Sequence, residues 1–447
     1  MMKERVKSFV LVTLVIFTLV LAERILVDEK LWPTGYNFFS IGTNQKKIEV
    51  SVSENLTTPE RIIVNTGYQS SRFEYLNNSA NFKEIHHIAQ EILKEAFKKP
   101  AKDISSIPAE NWYSVLTAKS IYLPYPCAYS AQNFARLLGV SSTSANFKNF
   151  SDIVISNSGS VYINDIDGFY KIDTGILDLS EMLEEATNTD IENQSVINYS
   201  FDLNFDKAFG SEKTILSPMI PIYSDSVSAN VITASNPISR NGEPNQKIIN
   251  AILTAFSVNP NSTWRYTEAD GTLVFVENNG VLKITPDGVL TFTASDNGIL
   301  LNQNPFADSF ETVTKLASFI DNINSAIDYN IQMSPSSPIT IDNIKNFTFD
   351  YNIAGIPVKY EGRSAINVTV SSGYITEYSQ ILRVYNTTGY TGDIPLYIYA
   401  LDNIIAKYQD SMSQIDITKM FPAYIDDLSL GEKSPDWFIE IDNVVAE

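Results

Sequence analysis

The sequence predicts an α+β protein: an N-terminal transmembrane helix followed by three extracytoplasmic α+β domains with antiparallel sheets. Three observations carry this. Residues 8–22 form one uncharged apolar run. Short β-branched and aromatic runs are separated by Asp-Gly and Asn-Gly pairs, the turn chemistry of tight hairpins. Beyond the run the chain alternates groups of strands with amphipathic helical stretches, sheet then helix. At 447 residues the chain has room for about three domains and for cores that need no disulfide or metal staple.

The first element is the apolar run. Eleven of its fifteen residues are Phe, Val, Leu or Ile, worth roughly 3–7 kcal/mol of insertion free energy. Lys3, Arg5 and Lys7 outweigh Glu4 before it, which places residues 1–7 in the cytoplasm and the body outside. Fifteen helical residues span only about 22 Å of a hydrocarbon core of about 30 Å. Residues 25–27 extend the apolar surface, and Lys7 and Arg24 can snorkel, giving an anchor over 8–27. The competing reading is a signal peptide cleaved after Ala22. Both readings export the remainder.

The first exported region covers residues 36–203. Residues 47–52 and 61–65 read as strands. Residues 81–99 read as a helix, with Phe82, Ile85, Ala89, Ile92, Leu93 and Ala96 on one face and Pro100 as its stop. Residues 130–138 read as a shorter helix, with Ser130 as N-cap and Gly139 just past its end. Strands are expected at 152–156, 160–163 and 169–172.

The second region, 217–330, opens its clearest pattern with strands at 264–268, 272–277, 281–285 and 289–293. Asp270-Gly271, Asn279-Gly280 and Asp287-Gly288 separate them into an antiparallel meander. A helix follows, striped by Phe310, Val313, Leu316, Ala317, Ile320, Ile323 and Ile327. The third region, 335–447, repeats sheet then helix. Its strands are expected at 347–352, 365–371 and 375–385, its helix at 395–408 with Leu396, Leu401, Ile404, Ile405 and Tyr408 apolar, and a last strand at 437–441.

Composition narrows function. With 52 acidic and 32 basic residues, the net charge of −20 disfavours nucleic acid, which demands a basic surface. One cysteine, Cys127, and two histidines, His86 and His87, are too few for a Cys/His zinc site or easy haem ligation. No nucleotide-binding glycine loop, serine-nucleophile elbow or zinc-protease motif occurs. Cys127 sits in apolar Leu123-Pro-Tyr-Pro-Cys127, which does not activate a thiol. The two histidines are expected on a solvated helix face. Asn164-Asp165-Ile166-Asp167-Gly168 has the look of a calcium loop but lacks its later ligands, so a hairpin turn is expected there. No carboxylate pair stands out for glycoside hydrolysis. No cofactor and no catalytic or metal-ligating residue is assigned, which suggests binding or regulation more than catalysis.

Several segments, in order, resemble the YycH family, membrane-anchored regulators that accompany the YycG/WalK histidine kinase in Gram-positive bacteria. Glu4-Arg5-Val6-Lys7-Ser8-Phe9 with Leu19-Val20-Leu21 resembles the family's anchor. Lys119-Ser-Ile-Tyr-Leu-Pro-Tyr-Pro126 and Leu137-Leu-Gly139 resemble its first outer domain. The 264–293 meander, Gly355-Ile-Pro-Val358 and Ala365-Ile-Asn-Val-Thr-Val370 are similar to its later domains, the last also to those of the partner protein YycI. Glu23-Arg24, directly after Ala22, departs from the apolar or aromatic continuation expected there. The resemblance implies an uncleaved single-pass protein of the cell membrane without catalysis, associated with the lipid bilayer, a YycG/WalK-type sensor histidine kinase and a YycI-like partner in cell-wall homeostasis. The partner contacts it implies run along the anchor, where the candidate residues are Arg5, Lys7, Ser8, Thr13 and Thr18. Thr13 and Thr18 lie about 140° apart around a helix, marking two faces; alternatively each hydroxyl bonds its own helix carbonyl. The rival function is an exported surface protein that binds cell-wall polymer or peptide.

Overall fold

A computed structural model describes residues 56–67, 71–175, 179, 195–203, 214–223, 227–240, 243–260, 264–327, 332–339, 346–408 and 415–442. The expected anchor at 8–27 and the expected strand at 47–52 lie outside these residues. Among the described residues no helix is long and apolar enough to cross a membrane.

The chain begins with β1 (Arg61–Asn65), β2 (Arg72–Leu76), α1 (Ala80–Phe97), β3 (Ile104–Ile107), α2 (Ala109–Thr117), β4 (Ser120–Tyr129), α3 (Ala131–Leu137), β5 (Phe150–Ser156), β6 (Val161–Asp165), β7 (Gly168–Ile172), β8 (Ser195–Tyr199), β9 (Thr214–Leu216) and β10 (Pro221–Tyr223). All but β9 of these strands form one antiparallel sheet in the order β10-β8-β2-β1-β4-β5-β6-β7-β3. β1 lies inside it and is buried on both faces. Ile62 and Val64 join the core shared with α1, and Ile63 joins the core shared with α2. A strand so placed reads as a continuous apolar run and not as an alternation.

α1 starts where the Ser79 hydroxyl accepts the Phe82 amide at 3.1 Å, which satisfies one of the free first-turn donors. Its six expected core residues are all buried. α3 is capped in the same way by Ser130, which accepts the Asn133 amide at 3.3 Å.

The second half contains β11 (Val227–Ser235), β12 (Ser239–Arg240), β13 (Glu243–Pro244), α4 (Gln246–Ala255), β14 (Trp264–Thr267), β15 (Leu273–Glu277), β16 (Gly280–Ile284), β17 (Val289–Ala294), β18 (Ile299–Leu300) and α5 (Ser309–Ala326). It continues with β19 (Gln332–Pro335), β20 (Asn346–Ile353), β21 (Ile356–Tyr360), β22 (Ile366–Ser371), β23 (Tyr374–Ile381), β24 (Val384–Ile394), α6 (Tyr397–Tyr408), β25 (Ile415–Asp426), β26 (Gly431–Lys433) and β27 (Pro435–Asp442). A 13-stranded sheet runs β14-β15-β16-β17-β23-β22-β20-β21-β25-β27, with β18, β19 and β9 paired alongside. It is antiparallel except where β25 meets β21 and β9. A smaller sheet has the order β24-β11-β26, and β12 pairs with β13.

The expected meander is β14 to β17, and its last strand pairs with β23, so the second and third regions build one sheet. Register aligns Phe275, Leu282, Phe292, Tyr378, Val368 and Phe347 in one row across six strands. All six are buried. Phe256, at the end of α4, and Phe319 of α5 cover the row, the Phe256 ring standing 5.3 Å from those of both Phe319 and Tyr378.

One expectation in the third region is corrected. The strand expected at 375–385 is broken at Leu382 and Arg383 into β23 and β24, because the Arg383 guanidinium is buried and bonds the Asp287 and Leu428 carbonyls. The helix expected at 395–408 is α6, and of its apolar face Leu401 is buried, Ile404, Ile405 and Tyr408 are half-buried and Leu396 is exposed.

The two large sheets are fastened to each other. The Ile339 amide donates to the Ala128 carbonyl at 2.7 Å, and the Ser130 amide donates to the Ile339 carbonyl at 3.2 Å. Arg136 of α3 pairs with Asp308 at the start of α5 and lies 3.9 Å over the Phe310 ring.

Candidate functional site

A cavity of about 430 Å³ lies between the sheets, bounded by α2 and by β4 to β7 on one side and by residues 217–221 and β25 on the other. Its floor is a row of cross-strand neighbours, Pro124, Asp152, Asn164 and Phe169, contributed by β4, β5, β6 and β7 in turn. Three breaks in strand pairing surround this row. Between β4 and β5 the register jumps from Pro124/Asp152 to Tyr129/Phe150. Between β5 and β6, Ser151 is an extra residue. Between β25 and β27, Thr418 is an extra residue. Pro124, Ser151 and Thr418 all line the cavity. Such bulges give up ladder hydrogen bonds, re-aim side chains and concentrate beside functional sites.

Aromatic rings make most of the wall. Trp112 of α2 is fully buried, tilted 5.5 Å from the Phe169 ring, and donates its indole N–H to the Met219 sulfur at 3.1 Å. Tyr122, Tyr125, Tyr113 and Phe421 complete it. Among the described residues the Tyr125 hydroxyl has no hydrogen-bond partner, and burial pushes its pKa upward.

The charged groups fall into two sets. Arg61 is 4% exposed and donates to the Glu74 carboxylate at 2.8 Å, which also accepts the Tyr223 hydroxyl at 2.5 Å. Burial opposes the guanidinium charge, but Glu74, Tyr223 and Glu60 more than offset it, and its pKa rises. Lys419 reaches Glu440 at 3.3 Å. Burial opposes its charge too, and Glu440 with Glu60 raises its pKa nonetheless. The second set is Glu60 and Asp152. Asp152 accepts the Tyr122 hydroxyl at 2.6 Å and the Ser151 hydroxyl at 3.1 Å, both neutral donors. Burial raises its pKa, against the opposing pull of those bonds and one from Asn164. Glu60 meets Arg61 at 3.9 Å, farther than Glu74 does.

Of the residues singled out in the sequence, Asn164 of the 164–168 segment and Pro124 and Tyr125 beside Cys127 line the cavity, whereas His86, His87 and Cys127 do not. Arg5, Lys7, Ser8, Thr13 and Thr18 are outside the described residues. The expectation of two solvated histidines is corrected. His87 is exposed, but His86 is 7% exposed, with Nε2 at 3.3 Å from the Thr57 carbonyl and its ring 5.5 Å from Phe82. The helix face carrying Phe82, Ile85 and Ala89 is wide enough to draw His86 in. Cys127 is buried as a small packed side chain, and burial pushes its thiol up to about 12. Residues 164–168 form the expected hairpin turn from β6 into β7, and the Asp165 carboxylate accepts the Asn149 amide at 2.7 Å. Among the described residues no cluster of three or more His, Cys, Asp or Glu could hold a metal.

The sequence assigns no function to any cavity residue, Asn164 included, which it places in a hairpin turn. The available signal was the proline pair Pro124-x-Pro126. Proline cannot donate to a ladder, so two of them inside an apolar strand mark a bulge or an edge.

No protein-family model matches the sequence, and no curated protein does. Solved structures do match. The crystal structure of YycH from Bacillus subtilis aligns over 88% of this chain and 95% of its own, with a TM-score of 0.58 and 12% sequence identity. The fold resembles that of YycH. At this identity the likeness to YycH concerns the path of the backbone, and it extends through both large sheets because nearly the whole of each chain is matched.

Proposed function

We propose that this chain is a non-catalytic, membrane-anchored regulator of a sensor histidine kinase of the YycG/WalK type, acting with a YycI-like partner. The observation that carries the reading is the likeness to YycH over 88% of the chain. The sequence adds an N-terminal uncharged run flanked by Lys3, Arg5 and Lys7. On this reading residues 8–27 are retained as a single span at the cell membrane, the N-terminus is cytoplasmic, and the three regions at 36–203, 217–330 and 335–447 are extracytoplasmic. Helices in lipid gain little from burying apolar surface against one another, so packing shape and polar groups select partners. Thr13 and Thr18, with Arg5, Lys7 and Ser8 at the cytoplasmic end, are the groups available for that selection.

The test is crosslinking in intact membranes with the native anchor and, in parallel, a scrambled anchor of equal hydrophobicity, with captured proteins identified by mass spectrometry. Capture of a sensor histidine kinase by the native anchor alone supports the reading. Absence of a kinase from both captures, or a protein found cleaved after Ala22, refutes it.

A further inference from the structure

We propose that the cavity between the two sheets is a binding site for an organic cation: a primary ammonium carried on an apolar or aromatic body. Three strand pairs break their ladders around this one space, at Pro124, Ser151 and Thr418. A ladder that served only to close a core would have no reason to fail three times at the same place. The volume of about 430 Å³ falls in the range of small-molecule sites.

Charge decides the class of ligand. Arg61 is neutralised by Glu74 at 2.8 Å, and Lys419 by Glu440 at 3.3 Å. Glu60 also lies 3.9 Å from Arg61, so four carboxylates, Glu60, Glu74, Asp152 and Glu440, stand against two cations, an excess of negative charge. Among the described residues Asp152 has no ion-pair partner; its hydrogen bonds come from neutral groups. A neutral ligand seated over Asp152 would strip water from a carboxylate and give no charge in return. An anion would meet two carboxylates. An ammonium supplies what Asp152 lacks, and an apolar body fits the ring-lined remainder, where aromatic faces also attract cations.

This goes beyond the regulatory reading and does not rest on it, because it is measured on the purified chain without a kinase. The experiment is calorimetric titration of the full-length chain in a non-ionic detergent with phenethylammonium and, matched in size, 3-phenylpropionate, each corrected against protein-free micelles. Saturable 1:1 binding of phenethylammonium is expected, with none of 3-phenylpropionate. Asp152→Asn, which keeps an acceptor for Tyr122, should weaken binding about tenfold or more, since it removes one member of a desolvated charge pair. Glu60→Gln, at the more exposed edge, should weaken it about threefold and stands in if Asp152→Asn does not fold. Ser217→Trp, which puts an indole into the space, should abolish it. No saturation by phenethylammonium up to about 10 mM, equal binding of the anion, or unchanged affinity in a folded carboxylate variant would each overturn the proposal.

Discussion

Replacing Glu74 by Gln should destabilise the first sheet severely. Arg61 and Glu74 are 4% and 3% exposed, on adjacent strands, and the guanidinium lies 2.8 Å from the carboxylate. The substitution preserves shape but removes the nearer and more buried of the two carboxylates that compensate Arg61 among the described residues. Glu60 remains at 3.9 Å, its side chain about a quarter exposed and therefore screened by water. Breaking a buried pair from one side costs about 3–5 kcal/mol, because a charge is left without its partner. For a cooperative unit of 150–250 residues that is a fall in Tm of about 6–20 °C. The assay is thermal unfolding followed by circular dichroism, with urea unfolding as a second measure. The double variant Arg61→Met with Glu74→Leu removes both charges and should recover to within about 2 kcal/mol of the parent, giving a coupling energy of about 2 kcal/mol or more. A loss below about 1 kcal/mol for Glu74→Gln, or strictly additive effects in the double variant, would refute the claim that this pair is a desolvated unit.

Three further outcomes follow from burial and backbone. Burial lowers the pKa of His86 from 6.5 to about 4, partly offset by the Thr57 carbonyl. The unfolded chain therefore binds a proton between those values that the folded chain refuses; stability is full above pH 6.5 and falls by about 3 kcal/mol as pH drops toward 4. His86→Gln should flatten that part of the Tm–pH curve, and an unchanged slope would count against a buried neutral imidazole. Cys127, its thiol pushed up to about 12, should resist iodoacetamide at pH 8 in the folded chain and react on denaturation, as read by mass spectrometry. Gly139→Ala should cost about 1–2 kcal/mol, because φ is +80° but nothing lies within 4 Å of the new methyl, whereas Gly298→Ala should cost clearly more, since its Cβ would sit 2.2 Å from the Ile375 carbonyl oxygen. Equal midpoint shifts in urea would overturn that ranking.

Local chemistry made most of the regular elements readable. Ser79 and Pro100 bracket α1, Ser130 and Gly139 bracket α3, and three Asp-Gly or Asn-Gly pairs space the meander. In each case the signal lies within a few residues of its effect. What escaped was longer in range. β4 carries Pro124 and Pro126 and does not alternate cleanly, because its first half is buried on both faces and its second half is bulged. β25 joins β21 and β9 in parallel and β27 through a bulge at Thr418, so neither hairpin spacing nor strict alternation announces it. α2 is nine residues long, and only Trp112, Val115 and Leu116 face inward, too few for a stripe.

The site escaped for the same reason in a stronger form. Glu60, Asp152 and Lys419 come from segments far apart in the chain, and each is unremarkable alone in a sequence with 52 acidic residues. Their significance depends on which cations are already engaged, and that is settled by Glu74 and Glu440, which lie on other strands still. A sequence shows how many charges there are; only the packing shows which ones are left over. Arg61 shows the distinction at its sharpest. By position it belongs to the cavity wall, yet by pairing it belongs to the core beneath, bound to Glu74 and through it to Tyr223 of β10. Its guanidinium also stands 5.6 Å from the Phe421 ring of β25. One buried residue thus ties the edge strand of the first sheet to the second sheet along the wall of the cavity. Loosening it should change the separation of the sheets as well as the stability of one of them. Glu74→Gln should therefore shift the phenethylammonium affinity even though Glu74 does not line the cavity, whereas His86→Gln, equally buried but on α1, should leave it unchanged.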